Sequence, residues 1–319
     1  MASLSDGDGD AAEVLEGGKV GGGGVSGVPA VPEAPAATDA DASPAVRAVA
    51  RYYDATTRLF LRADTAQTAT IHRRLWAPGV RDAREAAEHV HHVLAERIGD
   101  GAREVLDLGC GVGATCLWLA ERLGVTTTGI TVSPVQHALA EGSARRRGLE
   151  ARCRFLLGDF MRLHAVVAEG SFDAAYAIEA FLHAPEAAGF FTEAARALRP
   201  GGRLFVCDDF LTPEAPGEAR AITRFKRGWH ASNWLTMEAT TAAAASAGLR
   251  LTEDLDFTSY LRLQPRFLLW GLAVVGDALA RVPGIGASGF MDNWLGGTGL
   301  QQCQQEGWSS YRLLCFEKR

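Results

Sequence analysis

The chain has 319 residues, a hydrophobic fraction of 47% and a formal net charge of −6. That is enough apolar material for one large core or two small ones. Residues 1–46 hold eight acids against one base, Lys19, so the remainder is close to neutral; the strong basic excess of a nucleic-acid-binding domain is absent, and no nucleic-acid partner is expected.

Six cysteines (Cys110, Cys116, Cys153, Cys207, Cys303 and Cys315) form no C-x-x-C pair. Free thiols in a reducing compartment are expected, and with them a cytoplasmic location. The first residues are acidic and lack an apolar core, so neither a secretory signal nor a transit peptide is expected. The longest apolar run, Phe267 to Gly276, is too short to span a bilayer, which argues against stable membrane insertion.

Residues 1–43 are rich in Gly, Ala, Pro and Asp around Gly21-Gly22-Gly23-Gly24. Such a composition buries too little apolar surface to offset its ordering entropy, so a disordered tail is expected. Residues 44–319 then form a single domain, with N-terminal helices over 44–100. Ser43-Pro44 reads as a helix start, with Ser at the cap and Pro at the first helical position. The helix that follows, Val46 to Leu61, contains Arg51-Tyr52-Tyr53-Asp54. Ala83 to Ile98 is a second helix, carrying His89, His91 and His92. Glu85 and Glu88 sit four residues before His89 and His92, an ordinary surface pairing, and no third ligand group is evident; no metal site is expected.

From residue 104 strand and helix patterns alternate: strand 104–108, helix 113–123, strand 125–131, helix 134–147, strand 152–158, strand 172–178, helix 185–198 and strand 202–208. Alternation of this kind implies an α/β fold with a parallel sheet and helices on both faces. Ligands of such sheets bind at the carboxyl ends of the strands, where Asp107, Thr131, Asp159, Glu179 and Asp208 all fall. Residues 211–240 are Pro-rich, then basic and aromatic: Arg220, Arg224, Lys226, Arg227, Trp229, His230 and Trp234. A helix over Thr236 to Ala247 and a strand over Leu249 to Tyr260 follow. Pro265 to Val282 reads as an apolar helix and 284–299 as a Gly-rich stretch; this insertion suits an apolar substrate pocket, a membrane surface or an oligomer contact such as a homodimer. Ser309 to Glu317 suits a final antiparallel strand.

The chemistry centres on Val105-Leu106-Asp107-Leu108-Gly109-Cys110-Gly111-Val112-Gly113-Ala114. An apolar strand ends in an acid, glycines follow at alternate positions, and a helix begins at Ala114. Glycines permit positive φ and let the backbone approach a ligand, while the helix start offers free N–H groups. The dinucleotide fingerprint Gly-x-Gly-x-x-Gly is not met: counted from Gly109 its last glycine falls on Ala114, and from Gly111 on Cys116. Further along come Gly129-Ile130-Thr131-Val132-Ser133-Pro134-Val135-Gln136, then Gly158-Asp159-Phe160, then Ile178-Glu179-Ala180-Phe181-Leu182-His183, then Arg199-Pro200-Gly201-Gly202.

In this order and spacing the set resembles the class I S-adenosylmethionine-dependent methyltransferases, over roughly residues 50–260. The resemblance implies a Rossmann-like, mostly parallel seven-stranded sheet with helices on both faces, an N-terminal helical segment, and a substrate cap drawn from 211–240 and 261–300. It also implies S-adenosyl-L-methionine as cofactor. Gly109, Gly111 and Gly113 would pass beneath its methionyl and ribose portions, with Asp107 near the amino-acid end. Thr131 and Gln136 match the Gly-x-Thr-x-Ser-x-x-Gln version found in cyclopropane synthases and tocopherol methyltransferases, where a hydroxyl and an amide stand in for the usual ribose-binding acid. Asp159 would accept from the adenine amino group, with Phe160 beside the ring.

The Arg51-Tyr52-Tyr53-Asp54 segment looks like one in the sterol, tocopherol and cyclopropane-fatty-acid methyltransferases that folds over the cofactor. It would put Tyr53 at the cofactor and Tyr52 toward the substrate. Glu179 and His183, four apart after the fourth strand, are the catalytic candidates. Cyclopropane synthases carry a Glu just before this His; here it is Leu182, which argues for simple methyl transfer. Trp229 and Trp234, with Tyr260, Trp270 and Trp294, are expected pocket walls, whose faces also suit a carbocation.

The implied activity is methyl transfer to a small apolar acceptor, an isoprenoid-like alkene or an aromatic, with C-methylation in specialised metabolism preferred. O- or N-methylation of a phenol or amine through His183, and a non-catalytic cofactor-binding partner subunit, stay open as alternatives. Arg220–Arg227 is expected to be a solvated basic face; facing the pocket, it would instead mark an acceptor with a carboxylate or diphosphate.

Overall fold

A computed structural model describes residues 43–63, 68–282 and 289–319. The expected tail, apart from Ser43, and residues 284–288 of the Gly-rich stretch lie outside the described residues.

Two helices, α1 (Pro44–Ala63) and α2 (Ala83–Ile98), precede the sheet. Asp82 caps α2 by accepting from the backbone N–H groups of Arg84 and Glu85, as a short acid ahead of a helix does. The alternating core follows as β1 (Glu104–Leu108), α3 (Ala114–Leu123), β2 (Thr126–Thr131), α4 (Pro134–Arg147), β3 (Cys153–Leu157), β4 (Phe172–Ile178), α5 (Ala187–Ala197) and β5 (Leu198–Leu211). After it come α6 (Arg220–Gly228), α7 (Met237–Ser246), β6 (Leu249–Asp256), α8 (Arg266–Leu279), α9 (Gly289–Gln305) and β7 (Ser309–Lys318).

The seven strands form one sheet in the order β3-β2-β1-β4-β5-β7-β6. Neighbouring strands among β1 to β5 pair in parallel, while β7 runs antiparallel to both β5 and β6. The Rossmann-like α/β architecture is as expected. From β1 the chain winds outward through β2 to β3, then returns to place β4 on the other side of β1. That reversal opens a crevice at the carboxyl ends of β1 and β4, the position where open α/β sheets hold ligands. One face of the sheet packs Phe181, Phe190, Phe191, Phe210 and Phe316, and the other packs Leu75, Leu94, Ile98, Tyr176, Phe205 and Tyr311.

Three elements differ from the sequence reading. β5 starts at Leu198 because that residue pairs with Phe172 across an irregularity in the register. β6 stops at Asp256, and Thr258–Tyr260 is a short 3-10 turn. Within the Gly-rich stretch the described part is helical, as α9, and packs on α6, where no helix was expected. A Cβ at Gly299 would lie 2.5 Å from the Ala221 carbonyl, and one at Gly296 would lie 2.2 Å from Cδ1 of Trp229. The glycines cost helix propensity but let the two helices approach at backbone contact.

α8 buries Leu269, Ala273 and Gly276 and turns Phe267 and Trp270 outward, at 79% and 68% exposure. Trp270 is therefore no pocket wall. Among the described residues no helix is long and apolar enough to cross a membrane. All six cysteines are unpaired and buried. His91 is buried in the core, hydrogen-bonded at 2.9 Å to His72 and at 3.0 Å to Thr115. Among the described residues no group of three potential metal ligands exists.

Candidate active site

The crevice at the strand ends is a cavity lined by Asp107, Gly109, Gly111, Thr131, Gln136, Asp159, Phe160, Glu179 and His183, with Tyr53 of α1 above them. Gly113 sits just behind the lining as the residue that starts α3. Its φ is 80°, and a Cβ there would lie 2.6 Å from the Phe155 ring; only glycine fits both demands. Apart from Gly113, the ten residues expected at the cofactor and the reaction all line this one space.

Asp107 is buried beneath this space and receives hydrogen bonds from the Tyr176 hydroxyl and the Cys116 thiol, the latter at 3.3 Å. Burial pushes its carboxyl up to about 7, against those two donors. A buried acid so poised has a use for a cationic partner. Thr131 donates to Gln136 Oε1 at 2.9 Å, and the Gln136 amide donates to Thr57 of α1 at 3.2 Å. Ser133 donates to Asp54 of α1 at 2.5 Å. Ser133 and Gln136 therefore tie α1 to the ends of the sheet. Asp159 caps the following 3-10 turn by accepting from Met161 N at 2.8 Å, and burial raises its carboxyl. Phe160 packs edge-on against Phe190.

Glu179 follows β4 with φ 51°, a left-handed conformation that is rare outside glycine and is tolerated where surrounding contacts over-determine it. Its N–H donates to the Cys207 carbonyl at 2.8 Å. Oε1 accepts from the Arg73 backbone N–H at 2.8 Å, from Arg73 Nε at 3.3 Å and from the Tyr311 hydroxyl at 2.9 Å. Burial pushes this carboxyl up, but the Arg73 charge leads the opposing influences and holds it below its ordinary value. Arg73 also pairs with buried Asp209, and its guanidinium lies 4.0 Å from the Tyr311 ring centre. Gln304 and Ser309 donate to Asp209 at 2.9 and 3.1 Å. The result is a buried, hydrogen-bonded charge network that fixes an ionised Glu179 at the cavity wall.

His183 lies across the cavity. Burial pushes it down to about 4, so it is neutral near pH 7. Its Nε2 is 2.9 Å from the Tyr53 hydroxyl, which burial holds protonated. His72, a further lining residue, is also neutral: burial lowers it, Nδ1–H donates to the Arg73 carbonyl at 3.1 Å, and Nε2 accepts from His91.

The residues expected at the acceptor sit elsewhere. Trp234 is 3% exposed and packs against Phe225, with ring centres 4.6 Å apart. Trp229 fills the α6–α9 junction and donates to the Asn293 carbonyl at 3.3 Å. Tyr52 is buried and donates to Asn293 Oδ1 at 3.0 Å. Tyr260 stacks on Phe257, and Trp294 meets Phe290. Tyr52, Trp229, Trp234 and Trp294 pack within the cover and Tyr260 against the core, and none of them lines this cavity; the expectation followed aromatic identity, and large rings gain most from burial. Conversely Arg73, Tyr311 and Asp209 were not expected. They contact Glu179 or one another from more than a hundred residues away, and no local pattern signals that.

The positive-φ glycine turn, the acid beneath it and the second acid at Asp159 fit an elongated nucleoside with an amino-acid end. Residues 106–206 match the methyltransferase domain family. The chain belongs to the class I S-adenosylmethionine-dependent methyltransferases, and S-adenosylmethionine is its cofactor. It is 34% identical over 185 residues to the O-methyltransferase rstn1 of Aspergillus nomiae, covering 57% of this chain and 80% of that protein. It is 30% identical over 243 residues to 24-methylenesterol C-methyltransferase 2 of Oryza sativa, covering 73% of this chain and 63% of that one. The crystal structure of the [4+2]-cyclase SpnF superposes with a TM-score of 0.68 at 27% identity, covering 86% of this chain and 97% of that chain. The chain spans about half the length of the first curated relatives that it matches.

Proposed function

We propose that the protein transfers a methyl group to carbon on a small, largely apolar acceptor, such as an isoprenoid-like alkene. The observation that carries this reading is the ionised Glu179, held by Arg73 and Tyr311 in a buried wall. When bound, S-adenosylmethionine supplies an electrophilic sulfonium methyl. An alkene that accepts it becomes a cation, and a fixed carboxylate in a water-poor site stabilises charge that develops there. Oε1 is occupied by three donors, which leaves Oε2 to take the proton released when the double bond re-forms. Tyr53 and His183, joined by their hydrogen bond, close the space above and position the acceptor.

O-methylation asks for a base on the acceptor hydroxyl. His183 suits that role poorly: burial takes its basicity down to about 4, and its Nε2 is engaged by Tyr53. The relatives include both a C- and an O-methyltransferase, so similarity does not choose between them, and the Glu179 geometry supports the first. The test is transfer of a labelled methyl group to a panel of isoprenoid alkenes, phenols and amines, with the product carbon located by NMR. A new carbon–methyl bond is expected; label found only on oxygen or nitrogen would overturn the reading.

A further inference from the structure

α6 buries Ala221, Ile222, Phe225 and Gly228 and leaves Arg220, Thr223, Arg224 and Arg227 on its opposite face at i, i+3, i+4, i+7 spacing. That face lines a second, open cavity of about 1220 Å³, closed on other sides by the start of α1 and the end of α8. This exceeds the roughly 300–1,000 Å³ of typical small-molecule sites. Val49 and His183 belong to the walls of both cavities, so the two lie side by side at His183.

The second cavity has two chemistries. Ala48, Val49, Ile222, Ala231 and Leu295 give it apolar walls. Arg220, Arg224, Lys226, Arg227 and Arg281 stand around it against Glu218, Asp277 and Asp292. Asp277 is taken up by Arg224, at 2.5 and 3.0 Å. Arg220, Lys226 and Arg227 are exposed and have no carboxylate within ion-pair distance among the described residues. As expected of a solvated face, these three side chains are exposed; the concavity they border shares Val49 and His183 with the first cavity.

We propose that this cavity binds the anionic end of the acceptor, an oxyanion head group of the carboxylate or phosphate kind, while the acceptor's apolar body runs past Val49 to His183. The proposal deepens the methyl-transfer reading and rests on it. Arginine forks match carboxylate and phosphate oxygens in bidentate pairs. Several cations around one concavity raise the local concentration of an anion more than scattered surface charges do. The apolar walls supply burial for a chain attached to that head.

The experiment is calorimetric titration of the full chain, first with S-adenosylhomocysteine and then, once saturated, with three probes that share one apolar tail: decanoate, decyl phosphate and 1-decanol. At least one anion is expected to bind about tenfold or more tighter than the alcohol, a difference of about 1.4 kcal/mol, and the preference should shrink as salt rises. Preference for decanoate or for decyl phosphate identifies the head group. The double variant Arg220→Ala/Arg227→Ala should lose the preference, and Arg220→Lys/Arg227→Lys should keep most of it, with the S-adenosylhomocysteine Kd unchanged in both. Equal binding of all three probes, no binding of any, or a preference that survives the alanine pair overturns the inference while leaving methyl transfer intact. Failure of S-adenosylhomocysteine to bind would instead bring down the reading beneath it.

Discussion

The floor of the site and its cover are assembled from different distances along the chain. The floor comes from the ends of β1, β2 and β3 and the turns that follow them: Asp107, the glycine turn, Thr131 with Gln136, and Asp159. Its geometry is set within a few residues, by positive φ at Gly113 and by short caps at Asp159 and Ser133. The cover comes from α1, α6, α8 and α9, and its positions rest on contacts between distant residues. Tyr52 reaches Asn293, Arg224 reaches Asp277, and Gly299 admits the backbone of Ala221. Between the two stands the Arg73–Glu179–Tyr311–Asp209 network, whose parts come from before, within and after the alternating core. A floor of this kind serves one cofactor, whereas the cover can be rebuilt around another acceptor without disturbing it.

The sharpest break in this arrangement is at its junction. Arg73→Ala leaves Glu179 and Asp209 as buried carboxylates without their cation. A loss of about 3–5 kcal/mol in denaturant unfolding is expected, as for removal of one member of a buried ion network; a loss under about 1 kcal/mol would mean that the network is solvated. Gly299→Ala acts on the cover alone. Its Cβ would meet the Ala221 carbonyl at 2.5 Å, so overpacking should cost about 1–3 kcal/mol. Acceptor binding should weaken while the S-adenosylhomocysteine Kd, measured by calorimetry, is kept.

On the floor, Asp107 gives a pH signature. Burial raises its carboxyl to about 7 in the free protein, above its unfolded value, so the native state takes up a proton and stability from this group falls as pH rises toward 7. Cofactor affinity has the opposite sign, because a cationic amino-acid end favours the ionised form. Between pH 6 and pH 8 S-adenosylmethionine should bind about tenfold tighter, and Asp107→Asn should flatten that rise. The smallest effect is Tyr53→Phe. It removes one hydrogen bond to His183 and should cost about 0.5–1.5 kcal/mol in acceptor binding or turnover, read as a change in KM or kcat.

This contrast also explains what the sequence discloses. The glycine turn and the mostly parallel seven-stranded sheet follow from patterns inside short segments, and they were legible; the residues expected at the cofactor lie together at the strand ends. Glu179 and His183 could be singled out because both follow one strand, and both line the first cavity. Trp229 and Trp234 were misplaced because an aromatic in a basic segment looks the same whether it faces a ligand or fills a helix junction. The Gly-rich stretch hid α9, since its glycines are there for contact with α6 and not for a loop. Arg73 had no local sign at all: its partners, Glu179 and Asp209, are 106 and 136 positions away.

The central claim is that Glu179 carries the negative charge that the reaction uses and that His183 is a neutral positioning group. The direct measurement is turnover of one alkene acceptor by Glu179→Gln and by His183→Ala, beside S-adenosylhomocysteine affinity for each. The account predicts a fall of about 10²–10³ in kcat for Glu179→Gln with the cofactor Kd unchanged, and a smaller fall for His183→Ala. A Glu179→Gln enzyme that turns over normally while His183→Ala is inactive would contradict it.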